Sequence, residues 1–203
     1  MSTTTKSKKK YSGDIVAGSL LVRESQIIAR LLLEDVDTEA WHRAIVIDNI
    51  LQKRSPESSK RQARLIKDRL ILMEPELWTI VAQGMTDVVI QALLAAAIKH
   101  SHLLGDFMDQ ILRSHWQTFR NTISVADWQN FLETCAQIDS HVETWQENTR
   151  NKLRHVIFRI LVEAKYINNT KSLELLPVTI VPEVKKYLLD HSEEYVIQCM
   201  EIR

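Results

Sequence analysis

The sequence predicts a mainly α protein built as a compact multi-helix bundle, and three observations predict it. Glycine and proline are scarce, four of each in 203 residues, too few for the tight turns of sandwiches and barrels. Apolar residues make up 45% of the chain and recur at the spacing of one helix face. Helix-start signals of the Ser-Pro and Ser-x-x-Asp kind punctuate the chain. A chain of this length buries roughly 70% of its unfolded surface, so it needs no disulfides to hold a core.

Residues 1–11 carry Lys6, Lys8, Lys9 and Lys10 among serines and threonines, with no apolar stretch directly behind. That pattern predicts a flexible basic tail rather than a secretion signal. Residues 12–203 read as one mainly helical domain, in which 145–203 could form a distinct subdomain. Ile27, Ile28, Leu31 and Leu32 place a helix over about 24–34. Asp37 is the N-cap expected for the next helix, with Trp41, Ala44, Ile45 and Ile47 turned inward. Ser55-Pro56 opens a longer helix reaching about residue 73. Glu74-Pro75 ends it and begins a short one that stops at Gly84. Thr86 is the expected cap of a very apolar helix over 88–98, too short to span a bilayer, which takes about 20 residues.

A helix over about 103–120 follows. Ser124, with Asp127 three residues on, marks a capped helix over 125–138. The run Thr144, Trp145, Gln146, Glu147 fits the same box and should open a long helix ending near residue 167. Leu173, Leu175, Val178 and Ile180 alternate around Pro177, which predicts two short extended segments, a small β element near the C-terminus. Pro182 opens a helix over 183–190, and 195–202 fits a strand or a helix.

The formal net charge is zero, 26 Lys and Arg against 26 Asp and Glu. Any affinity for a polyanion must come from a local patch. The segment 53–69 offers one: Lys53, Arg54, Lys60, Arg61, Arg64, Lys67 and Arg69 stand against Glu57 and Asp68. On a helix Lys60, Arg64 and Lys67 fall within about 60° of one another, while Ala63, Ile66, Leu70 and Met73 form an inward face. From Lys53 to Lys67 the strip is about 20 Å long, against one phosphate charge per ~1.7 Å of duplex. A second cluster on the long late helix places Lys152, His155 and Arg159 on one face and Arg150 and Arg154 on another. The alternative for both clusters is a solvated helix face whose cations meet carboxylates elsewhere in the fold.

Signals for catalysis are missing. Gly13, Gly18, Gly84 and Gly105 are isolated, so there is no nucleophile elbow, phosphate-binding loop or dinucleotide fingerprint. Cys135 and Cys199 are far apart and form no metal-binding or disulfide pattern, which fits a reducing, cytoplasmic setting. His100, His102, Asp106 and Asp109 resemble a ligand set only superficially. Residues two apart on a helix point away from each other, so a polar helix junction is the better reading. No metal, cofactor or small-molecule substrate is expected. The five tryptophans lie in apolar stripes or near helix starts and read as core.

Several stretches resemble the BrxA family of bacteriophage-exclusion (BREX) defence systems. They are Tyr11-Ser12-Gly13-Asp14-Ile15-Val16-Ala17-Gly18-Ser19-Leu20, Leu51-Gln52-Lys53-Arg54-Ser55, Arg61-Gln62-Ala63-Arg64-Leu65-Ile66, Gln91 to Ser101, Leu103 to Met108, and Pro182-Glu183-Val184. The resemblance runs from Tyr11 onward. It implies a helical protein similar in its core to the antitermination factor NusB. It also implies a non-enzymatic accessory that binds double-stranded DNA beside a methyltransferase, an ATPase and other defence components. No contact motif comes with the resemblance, so the expected DNA-binding residues are those of the charge pattern: Lys53, Arg54, Lys60, Arg61, Arg64, Lys67, Lys152 and Arg159. Two other functions compete: a protein-interaction scaffold that docks the basic face on an acidic partner, and RNA binding by the NusB analogy.

Overall fold

The computed structural model describes residues 10–203; Lys6, Lys8 and Lys9, with the tail expectation attached to them, lie outside the described residues. A 3-10 turn (Asp14–Ala17) leads into α1 (Val22–Leu33). Asp37 accepts the Ala40 N–H ahead of α2 (Thr38–His42), which runs on into a π turn (Arg43–Ile47). The wider π turn rotates Ile47 into solvent, 69% exposed, although Ile45 stays buried as expected.

Ser55 accepts the Ser58 N–H at 3.2 Å, with Pro56 at the first helical position, and so starts α3 (Pro56–Leu70). Pro75 begins α4 (Pro75–Gln83). α5 (Thr86–His100) starts behind Met85 with no side-chain cap, so the cap expected of Thr86 is absent. Its apolar face wraps the whole helix, and residues 88–98 are buried except for Ile90, which is half-buried. Contacts with α1, α3 and α4 cover one side of it.

Ser101 caps α6 (His102–Phe107), which continues through a π turn (Met108–Leu112) into α7 (Arg113–Gln117). Ser124 and Asp127 close the expected reciprocal box on α8 (Val125–Ile138). The box expected at Thr144 does not form. Thr144 ends a 3-10 turn (Ser140–Thr144) and its hydroxyl donates to the His141 carbonyl instead, while α9 (Glu147–Glu163) begins after Gln146. α10 (Pro182–Asp190) and α11 (Glu194–Met200) complete the fold, which settles the last segment as helix, and α11 packs on α5, α6 and α10.

The two extended segments do not make a sheet. Residues 173–176 lie between 121–123 and 166–168, joined by the isolated bridges Thr122–Glu174 and Ile167–Leu175. Pro177 has no N–H to extend either ladder. The chain beyond it is held by a side chain instead: Gln91 donates to the Thr179 carbonyl at 3.0 Å and accepts the Val181 N–H at 2.7 Å.

One hydrophobic cluster runs from Tyr11 to Ile202, with Phe107, Trp128, Phe131 and Phe158 in mostly edge-on ring contacts where α6, α8 and α9 meet. Beside it the buried Asp106 carboxylate joins the two ends of the described chain. It accepts hydrogen bonds from the Tyr11 hydroxyl at 2.8 Å and the Tyr195 hydroxyl at 2.7 Å, and pairs with Lys10 at 2.7 Å. Gly105 makes room for this: a Cβ there would stand 2.4 Å from the Tyr195 hydroxyl. Burial alone would raise the Asp106 carboxyl, but these three partners hold it below its ordinary value. Both cysteines are free and buried, and burial pushes their thiols up to about 12. No single helix among the described residues is long and apolar enough to cross a membrane.

Candidate nucleic-acid interface

α3 places its side chains by simple helical geometry. Ser59, Ala63, Leu65, Ile66, Arg69 and Leu70 are buried, and Lys60, Arg61, Arg64 and Lys67 are exposed on the opposite arc. Lys60 and Arg61 pair with no carboxylate among the described residues, and neither does the exposed Arg54 just ahead of the cap. Arg64 is 84% exposed, with Nε 3.5 Å from Asp68 one turn on, a weak surface pair. Lys67 stands with its ammonium 4.6 Å above the Trp41 ring. Glu57 shares the arc in the first turn, where the helix dipole favours an anion.

Two of the seven cations in 53–69 leave the strip. Lys53 is mostly covered and pairs with Glu24 at 2.5 Å, while Asn49 clamps its backbone N–H and carbonyl. Burial alone would raise Glu24, but the Lys53 ammonium holds it below the usual carboxylate value. Arg69 is buried and donates to the Ser19 and Gly18 carbonyls, at 2.5 and 3.0 Å. Burial lowers its guanidinium to about 10, opposed by the charge of Glu163. Arg69 lies four residues after Leu65 and continues a buried row, the signal that marks it as structural.

On α9, Lys152 and His155 are exposed and pair with no carboxylate among the described residues. Arg159 is 71% exposed and stands 3.4 Å from Glu163. Arg150 turns away and donates to the Trp145 carbonyl at 3.0 Å, closing the preceding 3-10 turn. The chain segment around the first 3-10 turn links the two basic helices. Both α3 and α9 pack on that turn, Arg69 grips the carbonyls that follow it, and Glu163 accepts from the Ser19 hydroxyl and the Leu20 N–H at 2.8 and 2.9 Å. Arg61 and Arg64 from one helix and Arg159 from the other therefore border a common segment, with Lys152 about 10 Å further along α9. Lys10, the described part of the basic start, is engaged with Asp106.

A groove of about 390 Å³ opens between α3 and the first 3-10 turn, lined by Asp14, Val16, Arg61, Arg64, Asp68 and His100 among others. His100, at the C-terminal end of α5, gave no signal of this in the sequence. His102 and Asp106 do not share a ligand: the His102 ring packs against Tyr195 at 5.2 Å, and Asp106 is held by its three partners. Among the described residues no group of three His, Cys, Asp or Glu side chains could hold a metal ion.

Comparison with known proteins agrees along the length of the chain. The family model for BrxA matches residues 9–192, a span that includes both basic helices. The chain is 47% identical over 193 residues to the BREX protein BrxA of Paramagnetospirillum magneticum, covering 95% of this chain and 97% of that one. It is 29% identical over 196 residues to the BREX protein BrxA of Escherichia coli O9:H4, covering 97% and 92%. A crystal structure of an uncharacterized protein from Magnetospirillum magneticum superposes with a TM-score of 0.89 at 45% identity, over 96% of this chain and 100% of that one. The sequence fingerprints, the helical fold and these relatives agree, and the chain belongs to the BrxA family of BREX phage-defence proteins.

Proposed function

We propose that this protein is a non-enzymatic, cytoplasmic accessory of a BREX system that binds double-stranded DNA by its phosphates, without reading sequence. The observation that carries the reading is the strip Arg54, Lys60, Arg61 and Arg64: exposed, nearly uncompensated cations on one edge of a molecule whose net charge is zero. Such a strip releases counterions when it meets a polyanion, which is the main source of nonspecific affinity. Lys67 adds a charge set by the Trp41 ring, and Lys152 and Arg159 extend the surface across the common segment. Lys53 holds α1 and is removed from the contact set. Other BREX components are the protein partners this membership implies.

A gel shift with a short duplex at about 50 mM salt tests it, because electrostatic binding is strongest there. Wild type is retained, and the combined variant Lys60→Glu, Arg61→Glu, Arg64→Glu loses about 100-fold in affinity. Unchanged affinity in that variant overturns the surface assignment. Preferential retention of structured RNA over a duplex of equal length transfers the surface to RNA. No retention of either leaves an acidic protein as its occupant and overturns the reading.

A further inference from the structure

His100 borders the α3 groove as a titratable side chain with no hydrogen bond or ion pair among the described residues. It is half-buried at the end of α5, and its Nδ1 is enclosed with no hydrogen-bond partner, which leaves Nε2 as the nitrogen able to meet a ligand. The buried Arg69 Nε behind it is also unpartnered. Arg61 and Arg64 line the same groove from α3, and Asp68 and Asp14 line it from α3 and the 3-10 turn. Two cations and two carboxylates balance, so the charge of the imidazole decides the charge of the groove.

We propose that this groove is a phosphate-binding site in which Arg61, Arg64 and a protonated His100 hold one phosphate group. The site rests on the polyanion reading above and names where a backbone phosphate enters most deeply. With His100 protonated the groove carries one positive charge, matching the single charge of a phosphodiester better than a dianionic free phosphate. In the unliganded protein the surroundings of His100 favour the neutral imidazole. Burial, and after it the charge of Arg69, lower its pKa, while Asp14 and Asp68 pull more weakly the other way. Its neighbour Lys99 is engaged with Glu193, and Glu163 opposes Arg69. Phosphate binding therefore takes up a proton, and affinity rises as pH falls.

The experiment combines duplex affinity at pH 6 and pH 8, at fixed ionic strength, with NMR of the His100 ring in the wild-type protein. Affinity rises towards pH 6 by at most tenfold per unit for one proton. The rise disappears in His100→Gln and persists in His155→Gln, and saturating duplex shifts the His100 ring resonances. A rise that survives in His100→Gln, or a ring unmoved by bound duplex, overturns the site and leaves the DNA reading standing. A ring moved by inorganic phosphate in a protein that retains no duplex upholds the site for a free phosphate and overturns the DNA reading.

Discussion

Lys53 and Lys60 carry the same charge and are engaged in different ways. The Lys53 ammonium lies against Glu24 under partial cover, and Lys60 stands in solvent beside no carboxylate among the described residues. Replacing Lys53 by alanine leaves Glu24 half-buried and unpaired. It should cost about 1–3 kcal/mol in urea denaturation, with duplex affinity close to wild type. Lys60→Ala should do the reverse, weakening binding severalfold with stability within about 0.5 kcal/mol. Asp106 makes a pH prediction of definite sign. Its folded pKa is lowered, so its contribution is present above the unfolded value of about 3.9 and is lost as pH falls through the folded value. Asp106→Asn should be less stable than wild type by about 2 kcal/mol at pH 7, and the gap should shrink steadily in denaturation curves taken below pH 4.

Among the elements, those with chemical punctuation were legible in the sequence and those held by distant side chains were not. Ser55-Pro56, Pro75 and the Ser124–Asp127 box fix their helix starts through local hydrogen bonds and a missing N–H, so α3, α4 and α8 begin where the residues say. Thr144 has the right spacing for a box, but its hydroxyl finds the His141 carbonyl first. The π turns after α2 and within 102–117 carry no composition signal, and the first turns Ile47 outward against the period. The alternation around Pro177 does reflect burial, since Leu173, Leu175 and Ile180 are buried and Val178 is half-buried. What replaces the second strand is Gln91, ninety residues away in sequence from Val181, which no local pattern reveals. Gln91→Leu should leave the Thr179 carbonyl and the Val181 N–H unpaired and cost about 1–3 kcal/mol. Hydrogen exchange should then show faster opening confined to 176–181, with the helices protected as in wild type.

At the scale of the whole molecule, composition conceals the feature that matters most. Equal numbers of acids and bases suit either an inert surface or a polarised one, and only the folded positions separate the two. Carboxylates claim Lys53 fully and Arg64 and Arg159 weakly, while burial removes Arg69. The charge pattern of 53–69 could identify the cationic arc but not these subtractions, because each partner lies on another element or a turn away. Nor could it place α9 and α3 on one short segment, which depends on Ser19 and Leu20 meeting Glu163.

The salt dependence of duplex binding tests that account most directly. Arg54, Lys60, Arg61 and Arg64, each meeting one phosphate, contribute about −3.6 to the log–log slope at about −0.9 per contact, and contacts by Lys67, Lys152 and Arg159 steepen it further. Reversing Lys60, Arg61 and Arg64 together should make the slope shallower than wild type by about 2.7. A slope unchanged from wild type in that variant would contradict the claim that this strip is where the polyanion is held.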